Sequence, residues 1–179
     1  MKKILITVLF VCFAALAANA QTSATQTVSL SLTDFIEMDF TATGTNTGST
    51  VTMNFATTND YANGVTATAQ QLKVMSTRDF NVTVKTSATN FTYTGAVTPT
   101  PVMPVSGVLN AMVTANATGG TIAAPFTAFS TLTSSNQNLI TSGNNGGNQT
   151  FSVQYKATPG FTYPGGTYTT TVVYTATQL

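Results

Sequence analysis

Histidine and tryptophan are absent from this chain of 179 residues, and its single cysteine is Cys12. Charge is scarce as well, with six Lys or Arg and five Asp or Glu, together 6% of the residues. Each shortage excludes a class of chemistry. Without histidine, neither a Ser-His nor a Cys-His nucleophile pair can be assembled. A Ser-Lys pair is unsupported too, because none of Lys73, Lys85 and Lys156 has a serine three residues earlier. Zinc has no imidazole to bind and at most one thiolate, so no such site is expected. Gly143-Asn144-Asn145-Gly146-Gly147 lacks the lysine and the helix of a phosphate-binding loop. No catalytic residue and no cofactor is therefore expected. Nucleic acid and acidic membrane surfaces call for clustered cations, which this chain does not have.

The first twenty residues have the layout of a secretory signal peptide. Met1-Lys2-Lys3 is a basic start, residues 4–17 an apolar run, and Ala18-Asn19-Ala20 a small-x-small exit before Gln21. Cleavage is expected after Ala20, leaving one domain over residues 21–179. Cys12 follows bulky Val11 inside the apolar run, which is not where a lipid anchor would be attached. With Lys2 and Lys3 removed, Lys73, Arg78, Lys85 and Lys156 face five carboxylates, and no thiol remains for a disulfide. No later apolar stretch is long enough to span a bilayer, so no membrane insertion is expected once the leader is gone. The expected route is through the periplasm to the cell surface or beyond.

What the body does contain favours pleated structure. Roughly a fifth of the whole chain is threonine, and Thr, Val, Phe and Tyr are strand formers. Short alternating runs are separated by Gly, Asn and Pro clusters, the pattern of an all-β sandwich or barrel. Val28, Leu30, Leu32, Ile36, Met38 and Phe40 form an even-numbered stripe that shares one face, and its break at Thr33-Asp34 suggests two strands meeting at a kink or turn. Residues 41–50 (TATGTNTGST) read as a loop, and Val51, Met53 and Phe55 as a further strand. Asn63-Gly64 signals a tight turn. Strands are then expected around residues 65–69, Leu72 and Val74, Phe80 to Val84, and Phe91 and Tyr93. Pro-rich residues 97–104 are confined to an edge or a connection. Residues 108–114 predict a buried strand and residues 116–120 a turn, whereas Phe126, Phe129, Leu132, Leu139 and Ile140 follow no regular period. A flexible loop is expected over residues 141–149, then a strand through Phe151, Val153 and Tyr155. Tyr168, Thr170, Val172, Tyr174 and Ala176 predict one last strand, and no helix of useful length is expected beyond the leader.

The end of the chain, residues 166–177 (GTYTTTVVYTAT), resembles that of bacterial fimbrial subunits. A Gly-x-Tyr turn feeding a final Thr/Val/Tyr strand is similar to pilins of the chaperone–usher type. The missing cysteine pair makes the likeness closest to the alternative, cysteine-free class. A weaker likeness is to WxL-type surface domains, whose tryptophan is absent here. The Val28-Leu30-Leu32 run behind the leader resembles the N-terminal donor strand of such subunits. The resemblance implies an immunoglobulin-like antiparallel β-sandwich in which one subunit's N-terminal strand completes the next subunit's sheet. It implies Val28, Leu30 and Leu32 as donor-strand anchors, and Tyr168, Val172 and Tyr174 as the C-terminal strand. A periplasmic chaperone, an usher and further copies of the chain would be the partners.

Other features admit a functional and a plainer reading. Asp34, Glu37 and Asp39 form the one carboxylate cluster, and Glu37 and Asp39 share a strand face. They could bind calcium, or act as the acid and base of glycoside hydrolysis. The plainer reading is a solvated face whose charge discourages edge-to-edge aggregation. Tyr61, Tyr93, Tyr155, Tyr163, Tyr168 and Tyr174 could stack on sugars, or simply rim the core with their hydroxyls at its edge. Thr41, Thr43, Thr45 and Thr47, with Thr169 and Thr171, lack the fixed period of an ice-binding face. Asn81, Asn90, Asn116 and Asn148 begin Asn-x-Thr triplets that chance explains in so Asn- and Thr-rich a chain. The sequence thus points to an exported, non-enzymatic subunit of a fimbria or surface matrix. The alternative is a secreted carbohydrate-binding module or adhesin with a glycan as ligand. Residues 26–32 serve either as the sandwich's own first strand or as a strand donated to a neighbour.

Overall fold

The computed structural model describes residues 22–41, 48 and 50–179. The expected leader, with Cys12, and most of the Thr-rich loop lie outside these residues. Contacts divide the chain into two compact units, Met1–Leu32 and Thr33–Leu179. Of the first, residues 22–32 are described; they carry neither helix nor strand and are exposed throughout.

The second unit is an all-β sandwich of antiparallel sheets. Its strands are β1 (Ile36–Phe40), β2 (Val65–Thr66), β3 (Gln70–Ser76), β4 (Phe80–Thr86), β5 (Thr92–Thr94), β6 (Leu109–Asn116), β7 (Thr121–Ile122), β8 (Ser130–Thr131), β9 (Gln137–Gly143), β10 (Gly146–Ala157), β11 (Thr167–Thr169) and β12 (Val172–Gln178). One sheet runs β1-β3-β10-β6-β8, with β2 also on β10; the other runs β12-β4-β9-β7; β11 and β5 form a small third sheet.

Strict alternation builds the core. In β3 the residues Gln70, Leu72, Val74 and Ser76 are buried, and in β4 Phe80, Val82, Val84 and Thr86 are. These two strands lie in different sheets, so the chain crosses the sandwich between them. Ser76 organises the crossing, its hydroxyl donating to the Arg78 carbonyl at 2.6 Å and accepting from the Arg78 amide at 3.2 Å. From the other strands Phe151, Val153, Tyr155, Leu109 and Val113 close over the same interior. Burying each large apolar side chain contributes about 1.5–3 kcal/mol.

Several expectations need correction. The irregular Phe126 lies fully buried on a single 3-10 turn, Ala124–Thr127, opened by Pro125. Leu139 and Ile140 are both fully buried although adjacent, because the β4–β9 register shifts beside them. Residues 141–149 are not a loose loop. They are the end of β9, a two-residue connection, and the start of β10. Their polar backbone is tied down, Ser142 N donating to Asn81 Oδ1 at 2.8 Å and Asn145 N to Asp79 Oδ1 at 3.0 Å. Asn63-Gly64 does not join two strands. It ends a short helix, α1 (Thr58–Asn63), started by a capping box between Thr57 and Asp60, and Gly64 (φ 79°) is its C-cap. The last strand is two, because Thr170 and Thr171 separate β11, paired with β5, from β12, paired with β4. Finally, Val51, Met53 and Phe55 do not belong to any sheet.

Candidate functional site

That missing strand borders a hollow in the described sandwich. Residues 51–55 keep the alternation of a strand, with Val51, Met53 and Phe55 half-buried, Thr52 and Asn54 exposed, and Val51 and Met53 packed on the core. Yet among the described residues no backbone hydrogen bond joins the segment to a sheet. Its far end is fixed by the cap of α1. The Asp60 carboxylate accepts from the Ala56 amide at 2.9 Å and the Thr57 amide at 2.8 Å. Those two backbone bonds, with the Thr57 side chain, hold the Asp60 carboxyl below the usual aspartate range. Phe55 then leans on Tyr61 (centroids 5.5 Å apart), and Tyr61 stacks on Phe161 (5.5 Å, 26° between planes).

Facing this segment are residues 167–172, the junction of β11 and β12. Two hollows lie between the walls, of about 720 and 510 Å³. They share Thr50, Val51, Met53, Phe91, Tyr168 and Thr169 in their linings, so they are two stretches of one groove. Buried Met103 and Val108 line the first stretch, and buried Gln70, Leu109 and Tyr155 the second. Among the described residues no lining residue is charged.

The second wall is held from behind. Tyr168 donates to the Pro164 carbonyl at 2.9 Å, and its ring sits 5.0 Å from that of Tyr93, which donates to the Gly165 carbonyl at 3.1 Å. Gly166 is required here, since a Cβ would fall 2.2 Å from the Tyr93 ring. Burial, followed by the nearby Tyr93 and Tyr163, raises the Tyr168 hydroxyl above its ordinary range. At the break between the strands, Thr170 Oγ1 is buried without a hydrogen-bond partner. Below it the Tyr155 and Tyr174 hydroxyls are hydrogen-bonded to each other. Burial pushes Tyr155 up to about 12 and Tyr174 well above the ordinary tyrosine range.

Tyr168, Val172 and Tyr174 all line the second stretch of the groove, although they belong to two strands rather than one. Val28, Leu30 and Leu32 are 75%, 78% and 89% exposed, a bare apolar stripe. The six tyrosines divide. Tyr61, Tyr163 and Tyr168 line the first stretch with Tyr93 behind Tyr168, whereas Tyr155 and Tyr174 meet between the sheets. The carboxylates are not drawn together into a ligand set. Asp34 pairs with Arg78 at 3.5 Å, and Glu37 and Asp39 stand exposed on β1 opposite Met75 and Lys73. Among the described residues no group of three metal-ligating side chains was found. Sequence reasoning did not mark residues 51–55 or Thr170 as a site. The available signal was that Val51-x-Met53-x-Phe55 repeats the spacing of Val28-x-Leu30-x-Leu32.

A neutral furrow with an apolar base and a backbone edge without sheet partners suits an extended peptide. Main-chain bonds would hold it and alternate side chains would fill the base. No family model matches this chain, and no curated protein matches its sequence.

Proposed function

We propose that this chain is an exported, non-enzymatic structural subunit of a fimbria or surface matrix, assembling with copies of itself by β-strand addition. Residues 26–32 of one copy enter the groove between residues 51–55 and 167–172 of the next. The observation that carries this reading is the match between that uncharged groove and the exposed stripe of Val28, Leu30 and Leu32. Three apolar side chains leaving water contribute about 1.5–3 kcal/mol each. Low net charge lets like subunits pack without repulsion. In a fimbrial setting a periplasmic chaperone would shield the groove until an usher orders the subunits.

Leu30→Asp tests it, since a carboxylate cannot enter an apolar groove cheaply. Purified exported protein should form polymers that resist denaturant, and the variant should remain monomeric with an unchanged melting temperature. Equal polymerisation of the two would defeat the proposal. A secreted carbohydrate-binding module or adhesin is the second reading. It is favoured by Phe161, which is 68% exposed and backed by Tyr61 as a stacking surface would be. Glycan-array binding lost in Phe161→Ala would select it.

A further inference from the structure

Resting on the strand-addition reading, we infer that residues 51–55 are an unformed strand of the sandwich, which acquires its backbone pairing only when the incoming strand arrives. Capture then adds two strands to the sheet that ends at β12: the guest, and the segment beyond it.

The segment already has everything of a strand except its ladder. Val51, Met53 and Phe55 turn inward and Thr52 and Asn54 outward, the two-residue period of pleated backbone. Five residues is an ordinary strand length. Buried backbone is nearly always paired, so a run that packs Val51 and Met53 on the core yet lies outside every sheet among the described residues marks a place where partners are to be supplied. Across the groove β11 and β12 each have, among the described residues, a sheet partner on one side only, β5 and β4, and Thr170 Oγ1 lies buried and unpartnered between them. Each wall therefore offers backbone to a guest, and a single inserted strand can serve both. The bonded Ala56 and Thr57 amides hold the end of residues 51–55 in place while the guest docks. Because the groove has volume of its own beside residues 51–55, the guest need not evict Val51 and Met53 from the core.

Hydrogen exchange on the exported full-length protein separates the outcomes, with the monomer compared before and after adding a synthetic peptide of residues 26–32. Amides of residues 51–55 should exchange quickly in the monomer and slow about tenfold or more with peptide, together with those of residues 169–172. Protection confined to residues 169–172 would overturn the inference while leaving strand addition intact, since the guest would then pair with one wall or displace the other. No peptide binding and no change in either segment would defeat both. Cysteine pairs on the outward faces give a second reading, Thr52→Cys or Asn54→Cys in one copy with Ser29→Cys or Ser31→Cys in another. At least one pair should form an intermolecular disulfide in the polymer, and failure of all four would count against adjacent pairing.

Discussion

Tyr155 on β10 and Tyr174 on β12 meet hydroxyl to hydroxyl between the two main sheets, so each sheet supplies half of one buried polar contact. Tyr155 is 7% exposed, and the pair lines the groove from within, which couples its integrity to that of the candidate site.

Replacing one member should therefore cost more than replacing both. Tyr155→Phe leaves the Tyr174 hydroxyl buried without its partner, a loss of about 1–3 kcal/mol. The double variant Tyr155→Phe/Tyr174→Phe removes both polar groups at nearly constant shape and should recover most of that loss. Chemical denaturation of the monomers measures the cycle. A double variant as weak as the sum of the singles would show that the two hydroxyls act independently.

The same pair sets the alkaline limit. Unfolded tyrosines ionise near pH 10, about their ordinary value. In the folded chain burial holds Tyr155 protonated up to about 12 and raises Tyr174 well above the ordinary tyrosine range. A raised folded pKa gives stability that is complete below about pH 10 and is lost as pH climbs through about 12. Melting temperature should fall across this window, and the double phenylalanine variant should show a shallower fall. Identical slopes would refute the assignment.

Gly143→Ala should destabilise the sandwich without touching the groove. A Cβ there would lie 2.7 Å from the ring of Phe80, itself fully buried and unable to withdraw. Overpacking of this kind costs about 1–3 kcal/mol. Thermal melts should register the loss, while peptide uptake measured well below the melting temperature should match the parent.

Calcium should leave the melting temperature unchanged. Asp34 is occupied by Arg78, and Glu37 and Asp39 alone supply too few oxygens for a calcium shell. A rise of several degrees that disappears in Glu37→Gln would revive the carboxylate site.

Alternation was legible in the sequence, and so was the all-β architecture it implies. Phe80, Val82 and Val84 announce the inward face of β4 from neighbours two residues apart, without reference to the rest of the chain. The same rule groups Val28, Leu30 and Leu32 with Ile36, Met38 and Phe40. Only the fold separates them, half-burying the second trio against the core and leaving the first bare. It also joins Tyr168 to Val172 as one strand, where the fold changes partner from β5 to β4. Val51, Met53 and Phe55 look like any strand on paper, yet find no ladder. A two-residue period reports which side chains share a face, because that depends on local backbone geometry. Which edge lies beside which, where a register slips, and which edge is left open depend on hydrogen bonds between residues far apart in the chain, and those exist only once the sheets have packed.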